Sequence, residues 1–333
     1  MSEQPIISLE FLRLPLRYEW KLSRNTSVEK TNGLISISYQ GFEGRGEIAP
    51  NIRYEESPER VKQEFDNSLD ELVQAISNGR PWNDLLDSLP LCQALKTGLD
   101  MAYCNLHAKR ERKSLAAFFG LPEAGSREIC YTIPVMEASR IAGFIKEQQL
   151  HRFSWLKLKV NAETASEMLE ETLLHFPGKI AIDGNEAWKN PEDVLHFLSS
   201  IPLSRIMFLE QPLPASMRDA YPVLKEKSKV EIWGDESILG KAEPDYWKKS
   251  FSGINVKLMK AGSLSNSIAM LKSAKEAGIK TMIGCMVETS LGISSAMQLE
   301  SLADYMDLDG FLLLEEEPFR LVQESQGRVS LTT

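Results

Sequence analysis

The sequence predicts an α/β protein in which a parallel (β/α) barrel carries a smaller α+β domain. Between residues 130 and 310, short apolar runs followed by helical stretches recur eight times, at the spacing of βα units. The first 120 residues lack this alternation, since strands come first and helices follow. Eight repeats favour a barrel over the competing doubly wound open sheet. No strand candidate is followed by G-x-G-x-x-G, which weakens a dinucleotide-binding version of that sheet.

The smaller domain is predicted from one hairpin and two helices. The stretch "GLISISYQGFEGRGEIAP" predicts a strand over 34–39, a glycine-bearing turn and a second strand that ends near Pro50. Residues 57–79 begin with Ser-Pro, follow a helical period and end at a glycine. A second helical stretch covers roughly 91–113.

The domain boundaries follow from this change of pattern. We assign residues 1–120 to the α+β domain and residues 125–311 to the barrel. The segment 312–333 returns to extended character, and we expect it to complete the first domain by packing back on it.

The composition excludes several functional classes. The formal net charge of −9 leaves no basic excess to neutralise phosphates, so we expect no nucleic-acid partner. No apolar run approaches the roughly 18 residues of a membrane span, and the first residues lack a signal-peptide pattern. The four cysteines form no C-x-x-C pair, which favours free thiols in a reducing compartment. We therefore expect a cytoplasmic protein without a membrane partner, and we leave open a homo-oligomer.

The stretch "FSWLKLKV" places two lysines on a predicted buried strand. Lys157 and Lys159 are two residues apart, so both side chains point to the same face of the strand. That face is turned either outward, to solvent or to a helix, or inward, which would place two lysines close together inside the barrel. The following strands decide between these alternatives.

Acidic residues end the next three strand candidates. Asp183, Glu210 and Asp235 follow Lys159 at steps of 24, 27 and 25 residues, and Lys257 follows after another 22. Each step is one βα unit, and the carboxyl ends of barrel strands meet at one mouth. Three carboxylates form a hard oxygen ligand set that suits Mg²⁺. With lysines before and after the acids, the pattern predicts inward lysines on opposite sides of a metal ion.

On these residues the chain resembles the enolase superfamily, in its muconate-lactonising subgroup, over nearly its whole length. The resemblance implies a (β/α)7β modified TIM barrel with an α+β capping domain. It implies acid/base roles for Lys159 and Lys257, and enolate stabilisation by Lys157. It also implies one Mg²⁺ per chain, with three ligands: Asp183, Glu210 and Asp235.

Within that subgroup, "YMDLDG" is similar to the D-x-D motif of dipeptide epimerases such as the L-Ala-D/L-Glu epimerases. The resemblance implies that Asp307 and Asp309 hold the α-ammonium of a dipeptide, and we place Thr132 in the same substrate site. A second lysine on the opposite face allows a stereocentre to be inverted. We therefore expect inversion at the C-terminal residue of an L,L-dipeptide, by 1,1-proton transfer through an enediolate.

The side-chain specificity is predicted from the segment "KLSRNTSVEKTNG". In family members that act on Ala-Glu, a cation from this segment meets the substrate's side-chain carboxylate. Here a gapless alignment puts Asn25 at that position, with Arg24 beside it. We therefore expect a small or hydrophobic C-terminal residue, with Tyr18, Trp20 and Leu22 as candidate pocket residues.

Two alternatives remain open from the sequence. The first is o-succinylbenzoate synthase, N-succinylamino acid racemase or muconate-lactonising activity, which would keep the lysines and metal acids but leave the D-x-D motif idle. The second is a catalytically silent barrel that serves as a binding protein. The intact set of acids and lysines argues against it, since a silent barrel has no need to bury them.

Overall fold

The amino-terminal domain is an antiparallel sheet covered by helices. The computed structural model describes residues 4–21 and 26–332 of the chain. The sheet has the order β1-β2-β3, and its turn at Gln40–Gly41 confirms the predicted hairpin. The elements of this domain are β1 (Ile6–Lys21), β2 (Thr26–Tyr39), β3 (Phe42–Ile48), α1 (Pro58–Asn78), α2 (Trp82–Ser88), α3 (Gln93–Arg110) and α4 (Leu115–Phe118).

Local sequence signals explain where these elements begin and pack. The side chain of Ser57 caps α1 by accepting the backbone N–H of Arg60, and Gly79 ends the helix at φ +66°. Helix α3 lies directly on β3, where a Cβ on Gly44 or Gly46 would come within 2.0 Å of a backbone oxygen of α3. Only glycine permits that approach.

Eight parallel strands follow one another around the barrel in chain order, from β5 to β12. This order confirms the predicted (β/α)7β barrel with an α+β capping domain, because a doubly wound sheet would reverse its strand order. The strands are β5 (Tyr131–Ile133), β6 (Trp155–Lys159), β7 (Lys179–Asp183), β8 (Ile206–Glu210), β9 (Glu231–Gly234), β10 (Gly253–Lys257), β11 (Lys280–Gly284) and β12 (Tyr305–Asp307).

The connecting helices cover the outside of the barrel. Among the helices that the structure describes, none is both long and apolar enough to cross a bilayer. The barrel helices are α5 (Ala138–Glu147), α6 (Ala165–His175), α7 (Pro191–Ser200), α8 (Ala220–Lys227), α9 (Pro244–Ser250), α10 (Leu258–Ala261), α11 (Leu264–Glu276) and α12 (Ser290–Met297).

The carboxy-terminal segment contacts both parts of the chain. The backbone N–H of Glu315 donates to the Pro15 oxygen of β1 in the capping domain. Farther on, β13 (Val322–Ser325) and β14 (Arg328–Leu331) form a small sheet with β4 (Arg127–Glu128), just before the first barrel strand. The predicted domain boundaries remain a prediction.

An aromatic layer fills the amino-terminal end of the barrel. Trp155, Phe208, Trp233 and Tyr305 contact one another there, and the Phe208 and Trp233 rings stack at 4.3 Å between centroids. Trp155 lies on the same face of β6 as the two lysines that follow it. The face therefore passes from an apolar plug to a charged mouth along one strand.

A buried carboxylate of the capping domain accepts hydrogen bonds from the barrel. Glu47, on β3, accepts the backbone N–H groups of Thr289 and Gly292, both at 2.9 Å, at the amino terminus of α12. The Nδ2 group of Asn32 donates both to Glu47 at 2.8 Å and to the Val287 oxygen at 3.0 Å. The two domains are thus joined beside the barrel mouth by hydrogen bonds to a helix amino terminus.

A second buried glutamate lies beside this contact. Burial and the neighbouring Glu47 raise the pKa of Glu288 to about 8. The folded chain therefore binds a proton on Glu288 that the unfolded chain loses near the ordinary glutamate pKa of 4.5. Stability from this group is fully present below that value and is lost as pH rises towards 8.

We expect Glu288→Gln to lose less stability than wild type as the pH rises, because the amide does not titrate. Between pH 5 and 8, the unfolding free energy of the variant should increase relative to that of wild type by on the order of 2–4 kcal/mol. Urea unfolding across this range measures the difference, with exposed Glu276→Gln on α11 as the control. Parallel pH profiles for Glu288→Gln and wild type would contradict the assignment.

Candidate active site

A cavity of about 670 Å³ opens between the barrel mouth and the capping domain. Its barrel wall includes Lys157, Lys159, Asp235, Lys257 and Asp307. A second cavity, of about 740 Å³, lies at the opposite end of the barrel beside Trp155 and Tyr305, and its described lining contains none of these groups. The chemistry predicted from the sequence therefore belongs to the cavity at the mouth.

Both lysines of β6 point into the barrel. All five residues of β6 are buried, and Lys159 Nζ donates to Asp183 Oδ2 at 2.7 Å and to Asn185 Oδ1 at 2.8 Å. Lys159 is 8% exposed and borders the cavity, whereas Lys157 is 1% exposed. The inward alternative for the two lysines is the one that the structure contains.

Lys157 lies among three carboxylates. Its Nζ is 2.8 Å from Asp307 Oδ2, 3.0 Å from Glu210 Oε1 and 3.1 Å from Asp183 Oδ2. Burial alone would lower the pKa of Lys157, but the three carboxylates outweigh burial and raise it well above its usual value. Lys157 is therefore a fixed positive charge at the centre of the site.

The three acids predicted as metal ligands lie at neighbouring strand ends. Asp183 is paired in register with Lys159 on one side and Glu210 on the other, and Asp235 directly follows β9. All three are at most 2% exposed. Burial would raise the pKa of Asp183, but Lys157 and Lys159 lower it to about 2.

The acids and lysines alternate in this structure. Among the described residues, no three carboxylate, imidazole or thiolate groups converge closely enough to hold a metal ion. Lys157 lies between Asp183 and Glu210, which explains their separation. Glu210 Oε2 is buried and, although 2.9 Å from Lys157 Nζ, accepts no hydrogen bond of good geometry. Buried carboxylate oxygens with an unfilled position fit a hard divalent cation.

Lys257 lies on the far side of the barrel mouth from Lys159. Its Nζ donates to Asp235 Oδ2 at 2.9 Å, and the side chain is 8% exposed. Lys159 ends β6 and Lys257 ends β10, four strands apart in a barrel of eight. The two cavity-facing lysines therefore approach the centre from opposite sides.

Asp307 and Asp309 have different partners. Asp307 accepts hydrogen bonds from Lys157 at 2.8 Å and from the Cys130 thiol at 3.1 Å. Asp309 Oδ2 accepts the backbone N–H of Thr132 at 2.5 Å, a contact that links the last barrel strand to the first. Burial and the charge of Asp307 raise the pKa of Asp309 to about 6.

The structure brings together all the predicted barrel residues of the site. Arg24, Asn25 and Leu22 lie outside the described residues. Trp20 lines the cavity, whereas the Tyr18 hydroxyl hydrogen-bonds the Tyr131 hydroxyl at 2.8 Å.

Several polar residues of the site were not predicted from the sequence, among them Asn255, Asn185, Lys30 and Lys260. Asn255 is two residues before Lys257 on β10 and donates to Glu210 at 2.9 Å, so strand alternation could have identified it. Asn185 contacts Lys159, and Lys30 of β2 lines the cavity from the capping domain. Lys260 is signalled only by its K-x-x-K spacing from Lys257, and it donates to Asp235 Oδ1 at 2.5 Å.

Comparison with known proteins identifies the family of the chain. Residues 140–322 match the family described as "Enolase C-terminal domain-like". The chain is 31% identical over 332 residues to an L-Ala-D/L-amino acid epimerase of Pedosphaera parvula, covering 96% of this chain and 94% of that protein.

Solved structures show the same architecture. An enolase family member from Agrobacterium tumefaciens with homology to dipeptide epimerases, solved with sodium and L-Ala-L-Glu, is 26% identical. It superposes with a TM-score of 0.88 over 99% of this chain and 98% of that chain. A dipeptide epimerase from Enterococcus faecalis, complexed with Mg and L-Leu-L-Tyr, is 22% identical with a TM-score of 0.87, over 99% and 97%.

We expect Asp183→Asn to fold but to bind Mg²⁺ at least about 100-fold more weakly, because it removes one of three negative charges. Isothermal titration calorimetry measures the affinity, and circular dichroism checks the fold. The control is Asp70→Asn on the exposed face of α1, which should bind Mg²⁺ as wild type does. Unchanged Mg²⁺ binding by Asp183→Asn would remove this residue from the ligand set.

Proposed function

The chain belongs to the enolase superfamily, and on that premise we propose that it is a Mg²⁺-dependent dipeptide epimerase. It inverts the α-carbon of the C-terminal residue of an L,L-dipeptide by 1,1-proton transfer. One Mg²⁺ per chain is held by three acids, Asp183, Glu210 and Asp235. The observation that carries this proposal is a charge-polarised cavity, with two lysines facing one another near the acids and a pair of buried aspartates at the edge.

The two cavity-facing lysines account for inversion. By the family resemblance, Lys159 exchanges the proton on the face that the L-configured residue presents, and Lys257 exchanges it on the opposite face. Their positions four strands apart agree with these roles. Lys157 stays charged among Asp183, Glu210 and Asp307, where it can stabilise negative charge on the substrate. When bound, Mg²⁺ neutralises the negative charge that proton removal adds to the substrate carboxylate.

The pair of aspartates accounts for a dipeptide. Asp307 already has Lys157 as a partner, whereas Asp309 is supported by a backbone N–H, and burial and the charge of Asp307 raise its pKa to about 6. A substrate ammonium bound at this pair offsets both the burial of Asp309 and its repulsion from Asp307. A succinylated amino acid has no such group, so the N-succinylamino acid alternative leaves these buried acids without a role.

The proposal also covers the localisation, the partners and the oligomeric state of the protein. We infer a cytoplasmic enzyme with a small-molecule dipeptide substrate and with neither nucleic acid nor membrane as partner. A homo-oligomer is the assembly that we propose to test by light scattering.

We expect the lysine variants to separate the two faces. In D₂O, Lys159→Ala should lose α-proton exchange from the L,L-dipeptide, and Lys257→Ala should lose it from the L,D-dipeptide. Neither variant should epimerise. NMR detection of deuterium uptake from each pure epimer provides the measurement, and continued interconversion by Lys257→Ala would contradict the two-base mechanism.

We expect Asp307→Asn combined with Asp309→Asn to lower kcat/KM by about 10²–10⁴, because each charge-assisted contact contributes roughly 1.5–3 kcal/mol. The same double variant should gain no activity on N-succinylamino acids. Uptake of deuterium by wild type only with N-acylated amino acids would exclude the dipeptide assignment.

We expect wild type to prefer a small or hydrophobic C-terminal residue. Trp20 lines the cavity. The described cations on its capping-domain side include Lys30, which donates to Ser27 at 3.0 Å, and Arg53, which is paired with Glu186 at 2.9 Å. A panel of Ala-Xaa dipeptides scored by deuterium uptake tests the preference. Preference for Ala-Glu would contradict it, and Lys30→Met and Arg24→Met would then identify which cation reaches the side chain.

A further inference from the structure

A fourth lysine is buried beside the site and is not among the residues that line the cavity. Lys260 lies on α10, one helical turn after Lys257, and is 1% exposed. Its Nζ donates to the Asp235 backbone oxygen, to Asp235 Oδ1 at 2.5 Å and to the Asn255 backbone oxygen at 3.3 Å. Burying an ammonium costs several kcal/mol unless it is well paired, so these contacts are needed to hold it there.

The two carboxylate oxygens of Asp235 bind different lysines. Its Oδ1 faces Lys260, and its Oδ2 faces Lys257 at 2.9 Å. Lys260 binds three acceptors, whereas among the described residues the Lys257 ammonium has Asp235 Oδ2 as its hydrogen-bond acceptor. In the part of the chain that the structure describes, Lys260 is thus held by three hydrogen bonds and Lys257 by one, at the cavity wall.

The two lysines of β6, on the opposite side of the site, differ in exposure in the same way. Lys157 is 1% exposed and bound to several acids, while Lys159 is 8% exposed at the cavity. Lys260 and Lys257 show the same two exposures, 1% and 8%. Each side therefore pairs a lysine that is 1% exposed with one that is 8% exposed at the cavity.

We propose that Lys260 is a positioning residue that holds Oδ1 of Asp235 away from the cavity and so keeps Lys257 free to transfer protons. With Lys260 in place, Asp235 offers only Oδ2 to the cavity. Without it, Oδ1 and the Asp235 backbone oxygen lose their buried donor, and the carboxylate draws Lys257 into a two-oxygen ion pair. Lys257 then has to break a stronger contact to reach substrate.

The test variant is Lys260→Met, which removes the charge and keeps an unbranched side chain that is one heavy atom shorter. Lys260→Arg restores the charge and the donors, and Lys272→Met on the exposed face of α11 is the control. This inference rests on the proposed function, so wild type is first shown to exchange both epimers of one dipeptide in D₂O. If it exchanges neither, the proposed function fails, and the Mg²⁺ measurement below still tests Lys260.

At saturating Mg²⁺, Lys260→Met should slow deuterium uptake from the L,D-dipeptide about tenfold or more and change uptake from the L,L-dipeptide less than about threefold. Calorimetry should show Mg²⁺ binding weakened about tenfold, because Asp235 is no longer oriented. Lys260→Arg should recover both quantities.

Equal slowing from both epimers, or failure of Lys260→Arg to restore the ratio of the two rates, would overturn the role towards Lys257. Unchanged Mg²⁺ affinity would overturn the role in orienting Asp235. If Lys260→Met does not fold, Lys260→Gln keeps an N–H donor without the charge and is subject to the same rate ratio and calorimetry.

Discussion

Lysine ammonium groups and carboxylates are buried together at the mouth of this barrel, and neither set is stable there without the other. Lys157, Lys159, Lys257 and Lys260 are each within hydrogen-bond distance of Asp183, Glu210, Asp235 or Asp307. An isolated buried charge costs several kcal/mol, and mutual attraction repays this only when geometry is good. The parallel strands provide that geometry, because their carboxyl ends hold the charges in register. The aromatic layer at the other end closes the barrel with mainly apolar side-chain surface.

The same constraint explains how the capping domain is attached. The cavity lies between two domains, so a loose cap would admit water to the charged centre and weaken every interaction in it. Glu47 prevents this by binding the amino terminus of α12, which starts a few residues after the cavity-lining Met286 and Val287. Stability of the domain contact and electrostatics of the site are thereby linked through a few hydrogen bonds.

Local patterns predicted the barrel and most of its mouth. Period-two alternation placed Lys157 and Lys159 on one face, and the βα spacing selected Asp183, Glu210 and Asp235. Both patterns could be recognised because each is formed by residues at regular intervals along the chain. Contacts between distant residues were beyond that reasoning. Thr132 and Asp309 meet across 177 residues, and Glu47 meets Thr289 across 242. Lys260 was missed because a helix of four residues, α10, turns its side chain back to Asp235.

Epimerisation by this site depends most on two lysines that act from opposite faces of one carbon. The most direct test is the isotope content of the first product that wild type forms from a protiated L,L-dipeptide in D₂O. Two bases predict L,D-product that carries deuterium at the α-carbon from the earliest turnovers, because the lysine that donates is not the one that removed the proton. Early product that retains the original protium would mean that one group removes and returns the proton, and it would contradict the account.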